Sequence, residues 1–312
     1  MIYEIRDTRI YENKNLIAEN LTREEINFFV NNLPDNVHTL DLDNKFNEPI
    51  NNLPKSLHTL ILGYGFNQPI DNLPESLHTL QIGLKLHQPI NFPRTGKTTD
   101  IYCKFDQPIN NLPPNLHTLI LGYKFNQLVD ELPESLHTLV LGYSFNHPVN
   151  NLPESLHTLT LGYNFNQSID NLPPNLHTLQ LLEPTGKFNK STDNLPCSLH
   201  TLRLDCSHSQ PINKLPSSLH TLNLGYSYNH SVDNLPNNLH TLILGQLFNQ
   251  PLDKLPASLH TLIVGNKFNQ PLDNLPINLY TLKLGYAFNH PINHLSYINK
   301  IDIGFRHKHT NF

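Results

Sequence analysis

Six apolar columns recur along this chain with a period of about 20 residues. Within residues 133–152 they are Leu136, Leu139, Leu141, Phe145, Val149 and Leu152. Leu139-Val140-Leu141 has the alternation of a short strand with both leucines on one face. The remainder, with Gly142, Asn146, Pro148 and Asn151, consists of turn and extended-chain formers. Proline brings no N–H to a ladder, and Pro133 and Pro148 together exclude a long helix or a second interior strand. Each unit therefore predicts one strand, a turn after Gly142 and an extended return path. Stacked coils of this kind form one parallel sheet, with the six columns pointing inward.

The units open at Pro34, Pro54, Pro74, Pro93, Pro113, Pro133, Pro153, Pro173, Pro196, Pro216, Pro236, Pro256 and Pro276. A degenerate last unit runs through Ile298, Ile301, Ile303 and Gly304. A fixed period of this size marks a solenoid, in which each unit contacts only its neighbours. Two steps are irregular. The unit at Pro93 carries Gly96-Lys97-Thr98-Thr99 where the others carry Leu-His-Thr-Leu, and regains register at Ile101 and Phe105. The step from Pro173 holds extra residues around Glu183-Pro184-Thr185-Gly186-Lys187, which predict a loop bulging from one coil. The predicted organisation is an N-terminal cap over residues 1–31, a solenoid of about 13–14 coils over 32–305, and a tail over 306–312. In the cap, Ile2-Tyr3-Glu4-Ile5 and Thr8-Arg9-Ile10-Tyr11 alternate like paired strands, and Thr22 with Glu25 forms a capping box opening a helix through Phe29.

Charged residues make up 15 % of the chain and the net charge is −5, so no basic stripe invites nucleic acid. No apolar run approaches the length of a membrane span, and the N-terminus has no apolar signal core. Three cysteines in 312 residues fit a reducing compartment, which predicts a cytoplasmic location. Cys103 and Cys206 share a register position but lie five coils apart, roughly 24 Å at strand spacing, too far for a disulfide.

The polar columns carry the candidate chemistry. Histidine recurs at His117, His137, His157 and His177 and in most other units, and asparagine at Asn126, Asn146 and Asn166. Both predict structural ladders, because a straight row of imidazoles converges poorly on a tetrahedral metal. A metal or pH-sensing role for the histidines stays open at this level, with His307 and His309 in the tail as a weak extra metal candidate. Gly96-Lys97-Thr98 resembles a phosphate loop, but Asn91 stands where that motif needs glycine and no helix follows. No nucleophile or carboxylate pair stands outside the repeat pattern, so neither an enzyme nor a cofactor is expected. One column varies: the residue between the two strand leucines, Ile120, Val140 and Thr160 in consecutive units, is expected to face out of the tube. Tyr123, Tyr143 and Tyr163 run beside it. These six residues are the predicted partner-binding patch. The competing reading makes them strand formers and turn-packing rings.

Leu-x-x-Leu-x-Leu is the strand phrase of leucine-rich repeats. The phrase Phe66-Asn67-Gln68-Pro69-Ile70, repeated at Phe268-Asn269-Gln270-Pro271-Leu272, resembles the FNIP repeat family of social amoebae and the giant viruses of amoebae. The resemblance spans roughly residues 32–305. It implies a mainly β, leucine-rich-repeat-like solenoid that binds an unidentified protein, in the host cytoplasm if viral. Some family members carry an F-box that recruits a ubiquitin ligase. The residues ahead of the array are too few for that module, so a ligase role would need an F-box supplied by another chain. The remaining alternative is a structural repeat protein, such as a virion or matrix component, that self-associates.

Overall fold

A computed structural model of the chain describes residues 1–6, 9–83, 103–182 and 186–304. The chain falls into two compact units, Met1–Gly162 and Tyr163–Phe312. Each is a run of coils contributing one strand per turn to a parallel sheet. The leucine-rich-repeat-like solenoid expected from the columns is the fold.

In the first unit, β1 (Ile2–Arg6), β2 (Arg9–Glu12) and β3 (Asn15–Ala18) precede the helix α1 (Arg23–Val30). Then come β4 (Thr39–Asp41), β5 (Thr59–Leu62), β6 (Thr79–Ile82), β7 (Thr118–Leu121), β8 (Thr138–Leu141) and β9 (Thr158–Leu161). Their order across the sheet is β9-β8-β7-β6-β5-β4-β1-β2-β3. From β4 to β9 threonine pairs with threonine and the first strand leucine with its counterpart, even across the longer stretch between β6 and β7. β1 adds to this ladder in parallel, and β2 and β3 fold back antiparallel. Thr22 and Glu25 form the capping box of α1, and Tyr3 meets Phe29 edge-on at 5.3 Å, which fastens the helix to the sheet.

The core is a set of files running from coil to coil. Leu116, Leu119, Leu121, Phe125 and Val129 are buried in one coil, and their counterparts are buried in the next. Phe46, Phe66, Phe105, Phe125 and Phe145 stack at centroid distances of 6.1 to 6.4 Å. Burying each such side chain is worth ~1.5–3 kcal/mol.

The second unit has β10 (Thr178–Leu181), β11 (Thr201–Leu204), β12 (Thr221–Leu224), β13 (Thr241–Leu244), β14 (Thr261–Val264) and β15 (Thr281–Leu284). A short 3-10 turn at Asn293–Leu295 leads to β16 (Lys300–Ile303), which pairs with β15 and closes the degenerate last unit.

Both register breaks resolve into completed coils. β6 pairs directly with β7, and His117 N donates to His78 O at 2.9 Å. Phe105 lies between Phe66 and Phe125. Among the described residues, the coil opened at Pro74 is thus finished from Cys103 onward. Among the described residues, β4 to β9 in the first unit and β10 to β16 in the second each supply the strand of one coil. In the second unit, Lys187 N donates to Tyr163 O at 2.8 Å and Phe188 stacks on Phe165, so the 23-residue step is back in register by Lys187. The segment 96–98, Glu183-Pro184-Thr185 and the tail with His307 and His309 lie outside the described residues.

The glycine at the end of each strand answers a close approach, not a turn. Among the described glycines only Gly83 has a left-handed φ, +76°. A Cβ on Gly142 would meet the carbonyl oxygen of Gly122 at 2.4 Å, and one on Gly265 would meet that of Gly245 at 2.3 Å. The backbones of successive coils touch there. A Cβ on Gly83 would instead run into the side chain of Cys103.

Candidate functional site

The face of the sheet opposite the strand leucines carries the columns singled out in the sequence. Thr118, Thr138 and Thr158 are half-buried on it. The column beside them is far less open than expected: Ile120, Val140 and Thr160 are 3, 5 and 3 % exposed. Paired strands set Gln81, Ile120, Val140 and Thr160 side by side in register. At strand spacing each side chain covers its neighbours' flanks. These residues form the floor of the face. In the second unit the same column is partly open at Gln180, Arg203, Ile243, Ile263 and Lys283, and closed at Asn223.

The tyrosines stand beside that floor, half-buried. Tyr123 and Tyr143 stack with centroids 4.4 Å apart and planes 9° apart. Tyr163 belongs to the second unit, where the Lys187 ammonium lies 5.9 Å from its ring centroid. In the same unit Tyr226 and Tyr286 are exposed.

The histidine ladder is built by backbone bonds. Nδ1 of His117, His137, His157 and His177 lies 2.6 to 2.7 Å from the carbonyl oxygen two residues earlier. A carbonyl can only accept, so Nδ1 is the donor in each of these bonds. The rings from His58 to His157 stack at 5.1 to 5.2 Å within 16° of parallel. Their Nε2 atoms run side by side and do not converge. Among the described residues no three His, Cys, Asp or Glu side chains gather around a common point. The asparagine ladder bonds backbone across coils: Asn126 Oδ1 accepts from Asn146 N at 2.9 Å, and Asn166 Oδ1 from Asn189 N at 3.0 Å.

Strong electrostatic perturbation occurs in the core, away from this face. Burial pushes the thiols of Cys103 and Cys206 up to about 11 and about 12. Burial likewise raises Tyr228 to about 12. His208 occupies a phenylalanine position, and both its ring nitrogens are buried without a hydrogen-bond partner. Burial, with a smaller contribution from His230, lowers its pKa to about 4. Protonated thiols and a neutral imidazole inside a packed file offer neither nucleophile nor base to a substrate. Only the break in the aromatic column at His208 could have flagged this residue in the sequence.

The FNIP Repeat model matches residues 27–65, 46–85, 148–182, 208–247, 228–267, 248–286 and 268–296, more than half of the chain. The chain belongs to the FNIP repeat family. Among solved structures, this FNIP chain is similar to CroV588, described as a novel circular leucine-rich-repeat protein, at 36 % identity and a TM-score of 0.70. That similarity covers 87 % of this chain and 44 % of CroV588. An internalin from Listeria monocytogenes shares the fold at 18 % identity and a TM-score of 0.60, over 94 % of this chain and 90 % of the internalin. YopM from Yersinia enterocolitica does so at 22 % and 0.54, over 89 % of this chain and 64 % of YopM. The FNIP chain thus spans less than half the length of CroV588 and less than two thirds of YopM. No curated protein matches it. No described helix is long and apolar enough to cross a membrane.

Proposed function

We propose that this FNIP chain is a non-enzymatic scaffold that binds a partner protein on the outward face of its sheet, with the Tyr123–Tyr143 stack as the central contact. The observation that carries the reading is this stacked pair of half-exposed rings above a closed, mostly apolar floor. Rings already ordered by stacking lose little freedom when a partner covers them, and tyrosine is over-represented where binding energy concentrates. Ile120, Val140 and Thr160 act as the floor that holds the rings, while Tyr123, Tyr143, Thr118 and Thr138 make the contact. Tyr163 continues the column in the sequence. FNIP membership and the likeness to CroV588 support a giant-virus setting with the host cytoplasm as the place of action.

Affinity capture from host amoebal cells, with the wild-type chain beside the triple variant Tyr123→Ala, Tyr143→Ala, Tyr163→Ala, tests this. The wild type should recover a partner that the variant loses, with both chains giving the same circular-dichroism spectrum. Equal recovery by a folded variant would remove the binding site from this face.

A further inference from the structure

β3 is the outermost strand of the first unit's sheet. Its inner side pairs antiparallel with β2, and among the described residues no strand pairs with its outer side. Such an edge presents unpaired N–H and C=O groups, which proteins usually blunt with proline or charge, by shortness or a bulge, or by covering it; β3 is short and irregular but uncovered among the described residues. Asn15-Leu16-Ile17-Ala18 contains neither proline nor charge. The strand's own Leu16 and Ile17 are 48 and 49 % exposed.

We infer that β3 pairs antiparallel with β3 of a second copy of this chain, joining two first-unit sheets edge to edge. This goes beyond the proposed sheet-face contact and does not depend on it. Three observations select a second copy. The β2–β3 hairpin is antiparallel, so the next strand continues its pattern when it runs antiparallel to β3. A two-fold axis normal to the sheet then sets the same apolar strand against itself, a self-complementary interface of the kind that closes as a dimer. The strand ends also carry opposite charges, Lys14 and Glu19. With Leu16 or Ile17 on the axis, Lys14 lies within one position of Glu19 of the second copy, at both ends of the pairing. The Arg9–Glu19 pair, at 3.6 Å with both side chains about half exposed, leaves Glu19 within reach. Ile10 pairs with Ala18 and Tyr11 with Leu16, so Ile17 is the extra residue of a bulge in β3, and the flat part of the edge is only a few residues long. The interface is therefore small, and its dissociation constant should be on the order of micromolar.

Analytical ultracentrifugation of the full chain over a micromolar dilution series tests the dimer. The wild type should pass from monomer to dimer, and Ile17→Lys, at an exposed position, should weaken the dimer at least ~10-fold by charging the edge. In a Cys197→Ser background, Leu16→Cys should give a covalent dimer on mild oxidation, because Leu16 faces its own image or the adjacent position. A wild type that stays monomeric throughout overturns the inference. So does a dimer that Ile17→Lys leaves unchanged while Leu16→Cys fails to cross-link. Circular dichroism checks that Ile17→Lys is folded; should it not fold, the cross-link decides.

Discussion

His208 stacks on Phe188 with ring centroids 5.6 Å apart, and neither imidazole nitrogen has a hydrogen-bond partner. In the folded chain its pKa lies at about 4, against ~6.5 when unfolded. Between these values the unfolded chain binds more protons, so the neutral ring's contribution, complete above pH ~6.5, is lost as pH falls toward 4. The full shift amounts to about 3 kcal/mol. Thermal melts should show the second unit weakening over that window. His208→Phe should remove much of the pH dependence and raise the melting temperature at pH 5. A variant with the wild-type pH profile would place the acid sensitivity elsewhere.

Gly142→Ala would place a methyl group 2.4 Å from the carbonyl oxygen of Gly122, where backbone cannot yield as a side-chain end can. Overpacking of this kind costs ~1–3 kcal/mol. Urea unfolding should show a clear fall in midpoint, whereas Ser144→Ala, two residues away and partly exposed, should change little. Equal midpoints for the two variants would mean that the coils can separate at the glycine file.

The burial difference within the variable column predicts a contrast between Val140 and Ile263. Val140→Asn sets an amide into a closed site and should cost ~1–3 kcal/mol. Ile263→Asn alters the same column where it is half open and should cost much less. Denaturant melts of the two variants check the contrast; matching losses would show that the floor is equally closed at both positions.

Removing residues 133–152 takes out one whole coil and leaves the files able to re-form between its neighbours. That chain should still melt cooperatively, slightly below the wild type. Removing residues 133–142 alone puts every inward residue of that coil out of phase and should abolish the transition. If the longer deletion is as damaging as the shorter, the coils do not contribute independently.

The strand leucines, the phenylalanine file and the capping box at Thr22 were all legible in the sequence. Inward direction follows from period-2 alternation and a fixed repeat, and repetition removes the ambiguity of any single unit. Crowding was not legible. That Val140 points away from Leu139 can be read from spacing, but its covering by Ile120 and Thr160 depends on side chains about 20 residues away on either side. That the coil opened at Pro74 is finished from Cys103 onward was equally hidden. The glycine column was visible, but its reason was not: a Cβ there is refused by the neighbouring coil's backbone and not by the local turn.

Besides the strand ladder, which runs both ways as where Leu42 N donates to Ile61 O, a set of bonds between coils runs one way. Ser76 Oγ donates to Leu57 O, His78 N to His58 O, and Asn67 N to Asn47 Oδ1; each time the later coil brings the proton and the earlier one the oxygen. A chain emerging from the ribosome thus meets, for every newly made turn, a completed surface that already displays the acceptors. Growth can proceed turn by turn at the pace of synthesis, without waiting for the C-terminal end.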